Sequence, residues 1–267
     1  MEIWQSIILG IVEGITEFLP VSSTGHLILA GDLLRIPESA FSKSFDIVIQ
    51  LGAILSVIIL FWHKLWNIEI IKKLIVAFIP TGIIGLLFYK IIKTYFIGNT
   101  DLVLWSLFVG GIFLIIFEIW HKRKNDKEEG REMADSAQMS QKNSTDISYK
   151  QALSIGLFQS ISIIPGVSRS AATIFGGLFL GLKRTVIVEF SFLLAVPTIL
   201  AASGFDLVKN YSSFSFDQFG TLAIGFIVSF IVAIFSIKFL LSFVKNHTFI
   251  PFGVYRIIIG LGFLVYL

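Results

Sequence analysis

Six times along its 267 residues the chain runs apolar for about the length of a membrane-crossing helix: at 45–62, 74–89, 102–120, 190–205, 219–237 and 249–267, with at most one charge in each run. A helix needs roughly 20 apolar residues to cross a hydrocarbon core of ~30 Å. Hydrophobic residues make up 55% of the chain and charged ones only 15%, too little polar surface for a soluble domain of this length. The expected fold is therefore an all-α polytopic membrane protein with six transmembrane helices, embedded in a lipid bilayer. No cleavable signal pattern is expected at the start, where two glutamates and a long apolar continuation follow Met1. Cysteine is absent, which excludes disulfides, thiolate catalysis and cysteine-ligated metals. The slight basic excess does not point to nucleic acid, because the basic residues divide by membrane side.

Residues 121–150 are charged, rich in Ser and Gln and almost devoid of apolar side chains, so they are expected to form a solvated, mobile loop. Their basic start places them on the cytoplasmic side by the positive-inside rule. With six spans, Lys64, Lys72, Lys73, Lys183, Arg184, Lys238 and Lys245 then also fall inside. Arg35, Lys43, Lys90, Lys93 and Lys209 fall outside, as do both termini.

The loop divides a single integral membrane domain, 1–267, into halves of similar length, approximately 1–120 and 151–267. Laid without gaps, 9–31 over 155–177 matches Gly10 with Gly156, Ile15 with Ile161, Val21 with Val167, Ser22 with Ser168, Ile28 with Ile174 and Gly31 with Gly177. A one-residue shift then puts Phe45 on Phe190 and Ile54-Leu55 on Ile199-Leu200. Three spans per half is odd, so the second half must be inverted in the membrane, with the site near the midplane between the repeats.

The segments that open each half are not ordinary spans. Residues 3–34 are broken at Pro20-Val-Ser-Ser-Thr-Gly25, and 151–182 at Pro165-Gly-Val-Ser-Arg-Ser170. Proline and glycine interrupt a helix, and serine caps the next one. Non-helical backbone at membrane depth survives only inside protein or beside a wet cavity. Both segments are expected to be re-entrant helix–loop–helix hairpins that meet at their tips.

Those hairpins hold the intramembrane polar residues. Glu13 and Glu17 lie four apart, on one helical face, in otherwise apolar sequence. Ionisable residues at this depth are costly and mark function by default. Two neighbouring acids need a cation or a shared proton; a divalent ion, Mg²⁺ or Ca²⁺, does this where phosphate is the other ligand. A helix starting near Ser22 or Ser23 aims its first free N–H groups, with Thr24 and Gly25, at an anion. His26, one turn beyond Ser23, is expected to reach its hydroxyl, as base to a serine nucleophile or as nucleophile itself. In the second hairpin, the Arg169 fork suits a phosphate or a structural ion pair with Glu13 or Glu17. Ser168, Ser170 and Thr173 supply hydroxyls there, and Gln159 keeps a polar atom opposite Glu13. Glu118 and His121 are expected at the interface, and Asp46, Glu189 and Arg256 near span ends, in support of the site at most.

Glu-Gly-Ile-Thr-Glu-Phe-Leu-Pro-Val-Ser-Ser-Thr-Gly-His (13–26) and Pro-Gly-Val-Ser-Arg-Ser-Ala-Ala-Thr (165–173) resemble the two signature motifs of the undecaprenyl-diphosphate phosphatases, the bacitracin-resistance family. Phe-Asp-Ile-Val-Ile-Gln-Leu-Gly (45–52) and Glu-Phe-Ser-Phe-Leu-Leu-Ala-Val-Pro (189–197) extend the likeness over the whole chain, the hydrophilic loop excepted. The resemblance implies hydrolysis of undecaprenyl diphosphate, a phosphoric anhydride, to undecaprenyl phosphate, which recycles the cell-wall lipid carrier. It also implies a divalent cation, a bacterial cytoplasmic (inner) membrane location and a site open to the outer side. Glu13, Glu17, Ser23, His26 and Arg169 would be the catalytic group, and some of the many phenylalanines would line a prenyl groove. The other lipid phosphatase superfamily has a second histidine a few residues after its arginine; here none follows Arg169 until His247. The competing reading is a transporter or flippase for a polyprenyl phosphate, which shares the inverted-repeat plan but needs no Ser/His pair. A homodimer stays open as an assembly.

Overall fold

The computed structural model describes residues 1–91, 95–96, 99–134, 147–209 and 218–266, with side chains left out at 124–134, 205–209 and 266. Its described regular elements are all helical, as apolar runs demand when no water is present to bond the backbone. Five helices are long and apolar enough to cross a membrane: α3 (Ala40–Leu60), α5 (Ile68–Ile91), α6 (Thr100–Ala134, crossing over Thr100–Arg123), α9 (Arg184–Lys209) and α10 (Phe219–Phe243). The sixth expected span is a shorter apolar helix, α11 (Ile250–Tyr266), of 17 residues. A four-residue turn of helix, α4 (Trp62–Leu65), links α3 to α5.

Helix α6 continues to Ala134, so the first part of the stretch expected as a loop, 121–134, is helical. Lys, Arg and Glu dominate that extension, and all three are good helix formers once outside lipid. The rest of the expected mobile loop, 135–146, lies outside the described residues. Ser148 then caps the next helix by accepting from the Gln151 N–H at 3.2 Å.

Each expected hairpin is two short helices around a break. The first comprises α1 (Ile3–Thr16) and α2 (Ser23–Leu33); the second comprises α7 (Tyr149–Ser160) and α8 (Arg169–Phe179), with a turn of 3₁₀ helix at Ile161–Ile163. Their surroundings correspond: α1 packs on α10, α7 packs on α5, and α6 packs on α11. The backbones approach closely where small residues permit it. A Cβ on Gly10 would stand 2.8 Å from the Gly225 carbonyl oxygen, and one on Gly156 would overlap the Ala77 carbonyl. Thr81 on α5 donates to the Gly156 carbonyl at 3.0 Å, and Ser6 on α1 to that of Thr221 at 2.7 Å.

Glu118, expected at the interface, is fully buried. It pairs with Arg184 and accepts from the Phe249 N–H at 3.2 Å, so the end of the α6 span, the start of α9 and the start of α11 are joined. Burying a carboxylate is tolerable only with such partners. His121 is buried too, stacked on Phe117. Lys64 and Glu189 pair at the same end of the bundle.

Candidate active site

Glu17 follows the last turn of α1, and the chain then turns through residues 17–21 into Ser22. Ser22 sits at φ 73°, and its counterpart Ser168 at φ 71°. For a residue with a side chain, this left-handed region costs about 1–3 kcal/mol, and such strain gathers at functional sites. Both serines are N-caps, of α2 and α8. The Ser168 hydroxyl accepts from the Ala171 N–H, whereas the Ser22 side chain makes no cap bond. The first turn of α2 thus keeps its donors for another acceptor.

The two breaks meet. Arg169 Nη2 lies 3.1 Å from Glu17 Oε1, and Nη1 donates to the Ser191 carbonyl at 2.8 Å. Ser170 Oγ donates to the Leu19 carbonyl at 2.9 Å. Between the breaks is a polar cavity of about 240 Å³, bounded by Glu17, Ser22, Ser23 and Thr24 from one side. Pro165, Gly166, Ser168 and Arg169 bound it from the other, and Ser162, Gln50, Thr198, Ile199 and Ala202 complete the wall.

Within the cavity the Ser23 hydroxyl donates to Glu17 Oε2 at 2.6 Å. One carboxylate therefore holds the hydroxyl with one oxygen and the guanidinium with the other. A short bond from a hydroxyl to a buried carboxylate is the arrangement of a nucleophile beside its base. The Arg169 Nε, buried and without a partner among the described residues, is a donor left over from the fork.

The expected His26–Ser23 contact is not made. His26 Nδ1 lies 2.7 Å from the Ser22 carbonyl oxygen and Nε2 lies 2.8 Å from the Tyr255 hydroxyl, the two rings stacked 5.4 Å apart. A carbonyl only accepts, so Nδ1 carries a proton, and in the neutral imidazole the Tyr255 hydroxyl donates to Nε2. The helical turn that brings residue 26 over residue 22 aims the ring at the backbone of Ser22, away from the Ser23 side chain.

Several other expected residues stand outside the cavity wall. Gly25 packs against Val103 and Leu107 of α6. Gln159 is fully buried and donates to Thr81 Oγ1 at 3.0 Å and Thr198 Oγ1 at 3.2 Å. Thr173 Oγ1 donates to the Arg169 carbonyl at 2.8 Å. Gln159 and Thr173 thus brace the wall from behind, through Thr198 and Arg169.

Glu13 is fully buried, and among the described residues neither of its oxygens has a hydrogen-bond partner. An orphaned carboxylate one turn from Glu17 is a fitting ligand for a divalent cation. Glu17 fits less simply, since both of its oxygens are engaged, by Arg169 and by Ser23. Among the described residues no group of three or more His, Asp or Glu converges as a metal cage, so a bound ion would draw its remaining ligands from substrate and water.

Arg256, placed near a span end by sequence, is 1% exposed. Its Nη1 donates to the carbonyls of Pro20 and Val167, and its Nη2 to those of Ser106 and Gly166. Nε donates to the Leu107 carbonyl at 3.3 Å. One side chain of α11 thereby fastens both breaks to α6. Tyr255, Gln50, Ser162 and Thr198 were not singled out from sequence. Gln50 carried a signal, as a polar residue one turn from Asp46 in an apolar run; Tyr255 carried none.

The family model described as bacitracin resistance protein BacA matches residues 6–262. An undecaprenyl-diphosphatase of Wolinella succinogenes is 50% identical over 268 residues, covering all of this chain and 99% of the relative. That of Aquifex aeolicus is 49% identical over 259 residues, with 97% and 96% covered. That of a Sulfurihydrogenibium species is 48% identical over 257 residues, with 96% of each covered.

Proposed function

The chain belongs to the bacitracin resistance protein BacA family, and from that premise we propose that it is a membrane phosphatase hydrolysing undecaprenyl diphosphate to undecaprenyl phosphate and inorganic phosphate at the Glu17–Ser23–Arg169 cavity. The 2.6 Å bond from Ser23 to Glu17 carries this reading. Ser23 Oγ attacks the terminal phosphorus while Glu17 takes its proton. The bond from that phosphorus to the bridging oxygen breaks, and undecaprenyl phosphate leaves. Water then cleaves the phosphoserine, releasing inorganic phosphate and restoring the hydroxyl. The negative charge spread over the phosphoryl oxygens is met by the Arg169 guanidinium and by the N–H groups that open α2. His26, tied to Tyr255, fixes the carbonyl of Ser22 and with it the turn that presents Ser23.

A divalent cation, Mg²⁺ or Ca²⁺, held by Glu13 would neutralise the diphosphate beside Glu17. The two halves act as inverted repeats, a reading supported by the shared φ of Ser22 and Ser168 and by the matched packing of α1 on α10 and α7 on α5. With the basic start of 121–150 on the cytoplasmic side, the cavity opens to the outer face of a bacterial inner membrane, where spent carrier is recycled. A carrier of polyprenyl phosphates would need the anion donors but not a hydroxyl bonded to a carboxylate. Phosphate release from undecaprenyl diphosphate by the purified protein, with and without chelator, tests the activity; no release in either condition overturns it.

A further inference from the structure

Hydrolysis through a phosphoserine has two steps, and Ser23, Glu17, Arg169 and the start of α2 serve the first of them. The phosphoserine must then be opened by water. The cavity of about 240 Å³ has room for that water beside a phosphoryl group, since one water needs about 10–15 Å³ of such space. Attack on phosphorus runs in line with the bond that breaks, so the water comes from the side opposite the Ser23 oxygen and needs a neighbouring group to orient it.

Most of the polar wall is unsuited to that task. Glu17, having taken the Ser23 proton, is a carboxylic acid in the second step and is placed to return the proton to the serine oxygen. The Ser22 and Thr24 hydroxyls flank the nucleophile on its own break, and the N–H groups that open α2 donate to phosphoryl oxygens without accepting from water. Ser162 donates to the Gln159 carbonyl and Thr198 to that of Leu194, each at 2.7 Å, so both hydroxyl protons are already placed. Ser168 is engaged by Ser170 and by the Ala171 N–H.

Gln50 remains. It lines the cavity, half-buried, from α3, which belongs to neither break. The turn that carries it is held firmly against α10: the Ile49 carbonyl accepts from the Ser229 hydroxyl at 2.8 Å, and a Cβ on Gly52 would overlap the Phe226 carbonyl. Asp46, one turn earlier on α3, lies within electrostatic reach of Glu13, so this face of α3 is turned to the first hairpin. An amide has both functions the second step needs. Its carbonyl oxygen accepts from the water, and its NH₂ group donates to a phosphoryl oxygen. Being uncharged, it is not repelled by the phosphoryl group as a carboxylate there would be.

We propose that Gln50 is a catalytic residue of the second step, holding the water that cleaves the phosphoserine. The inference rests on the phosphatase reading with Ser23 as nucleophile. The water oxygen bonds to phosphorus while one water proton passes to a phosphoryl oxygen. The bond from phosphorus to Ser23 Oγ breaks, and Oγ takes back its proton from Glu17. The products are inorganic phosphate, free serine and the Glu17 carboxylate; Gln50 gains and loses no proton.

The test follows the two steps separately in Gln50→Ala and in Gln50→Met, which keeps the length of the side chain. Undecaprenyl diphosphate labelled in its terminal phosphate reports three quantities: undecaprenyl phosphate formed in the first turnover, label on Ser23 in the acid-quenched protein, and phosphate released at steady state. In both variants the first turnover should stay within about twofold of the parent protein while phosphate release falls by about ten- to a hundredfold. Phosphorylated Ser23 should accumulate in them well above its level in the parent. A first turnover slowed as much as phosphate release would make Gln50 a ligand of the diphosphate, and release near the parental rate would leave it no part in the reaction; either result overturns the proposal. So does slow release with no label on Ser23. Absence of phosphate release from the parent itself would instead remove the phosphatase reading, and this inference with it.

Discussion

Laid over each other so that Ser22 falls on Ser168, the two breaks share a backbone and differ in almost every functional side chain. Both serines take the same left-handed φ and cap the helix that follows. Yet Ser23 falls on Arg169, Glu17 on Ile163, Glu13 on Gln159 and His26 on Ala172. The first break carries the hydroxyl and both acids, and the second carries the cation that answers them. Two turns of like backbone geometry are thus told apart by their side chains, and both border the same cavity. Gln159 illustrates the point: where Glu13 is an orphaned acid, its counterpart is an amide bonded to Thr81 and Thr198.

If the first break holds the chemistry and the second the charge stabilisation, substitutions should separate by break. The largest loss is expected for Glu17→Gln, which leaves Ser23 an amide oxygen that cannot take its proton and leaves Arg169 buried without its counter-ion. Phosphate release should drop by at least about ten-thousandfold, the scale of losing a member of a nucleophile–base unit, and added cation should not restore it. Arg169→Lys keeps the charge but loses the planar fork. The expected fall in kcat is about a hundredfold, as for one charge-stabilising donor. A larger loss than in Glu17→Gln would reverse the division of labour.

Glu13→Gln sharpens the comparison by giving the first break the amide of the second. Turnover at low cation should decline by about ten- to a hundredfold and recover with excess Mg²⁺ or Ca²⁺, measured as phosphate release against cation concentration. An unchanged cation dependence would remove Glu13 as a ligand. Tyr255→Phe should have the smallest effect, about fivefold in kcat, since it deletes one hydrogen bond to His26 and keeps the stacked ring. A loss as deep as that of Arg169→Lys would return His26 to the reacting atoms.

Much of this plan was legible in the chain. Apolar runs announced the long helices, and Pro, Gly and Ser placed the two breaks, because backbone that leaves a helix inside a membrane needs those residues. Glu17, Ser23 and Arg169 stood out as polar groups in apolar sequence, and the structure brings them together. What periodicity cannot report is which helix a polar face will meet. His26 is matched with Tyr255, 229 residues away, rather than with the serine one turn back. Arg256 looked like a residue near a span end because its partners are carbonyls of Pro20, Gly166 and Val167, groups every residue has and no sequence pattern marks. Helix α6 outran its apolar run because charged helix formers carry it on to Ala134.

Ser23→Ala tests the central claim most directly, with phosphate release and lipid-diphosphate binding measured on the same preparation. Ser23 lines the cavity and, among the described residues, its side chain bonds only Glu17, so removing its oxygen should leave Arg169 and the start of α2 in place to bind the diphosphate. The account predicts a fall in kcat of at least about a thousandfold with binding changed by less than about threefold. Hydrolysis near the parental rate, or a loss of binding with turnover of bound lipid preserved, would contradict it.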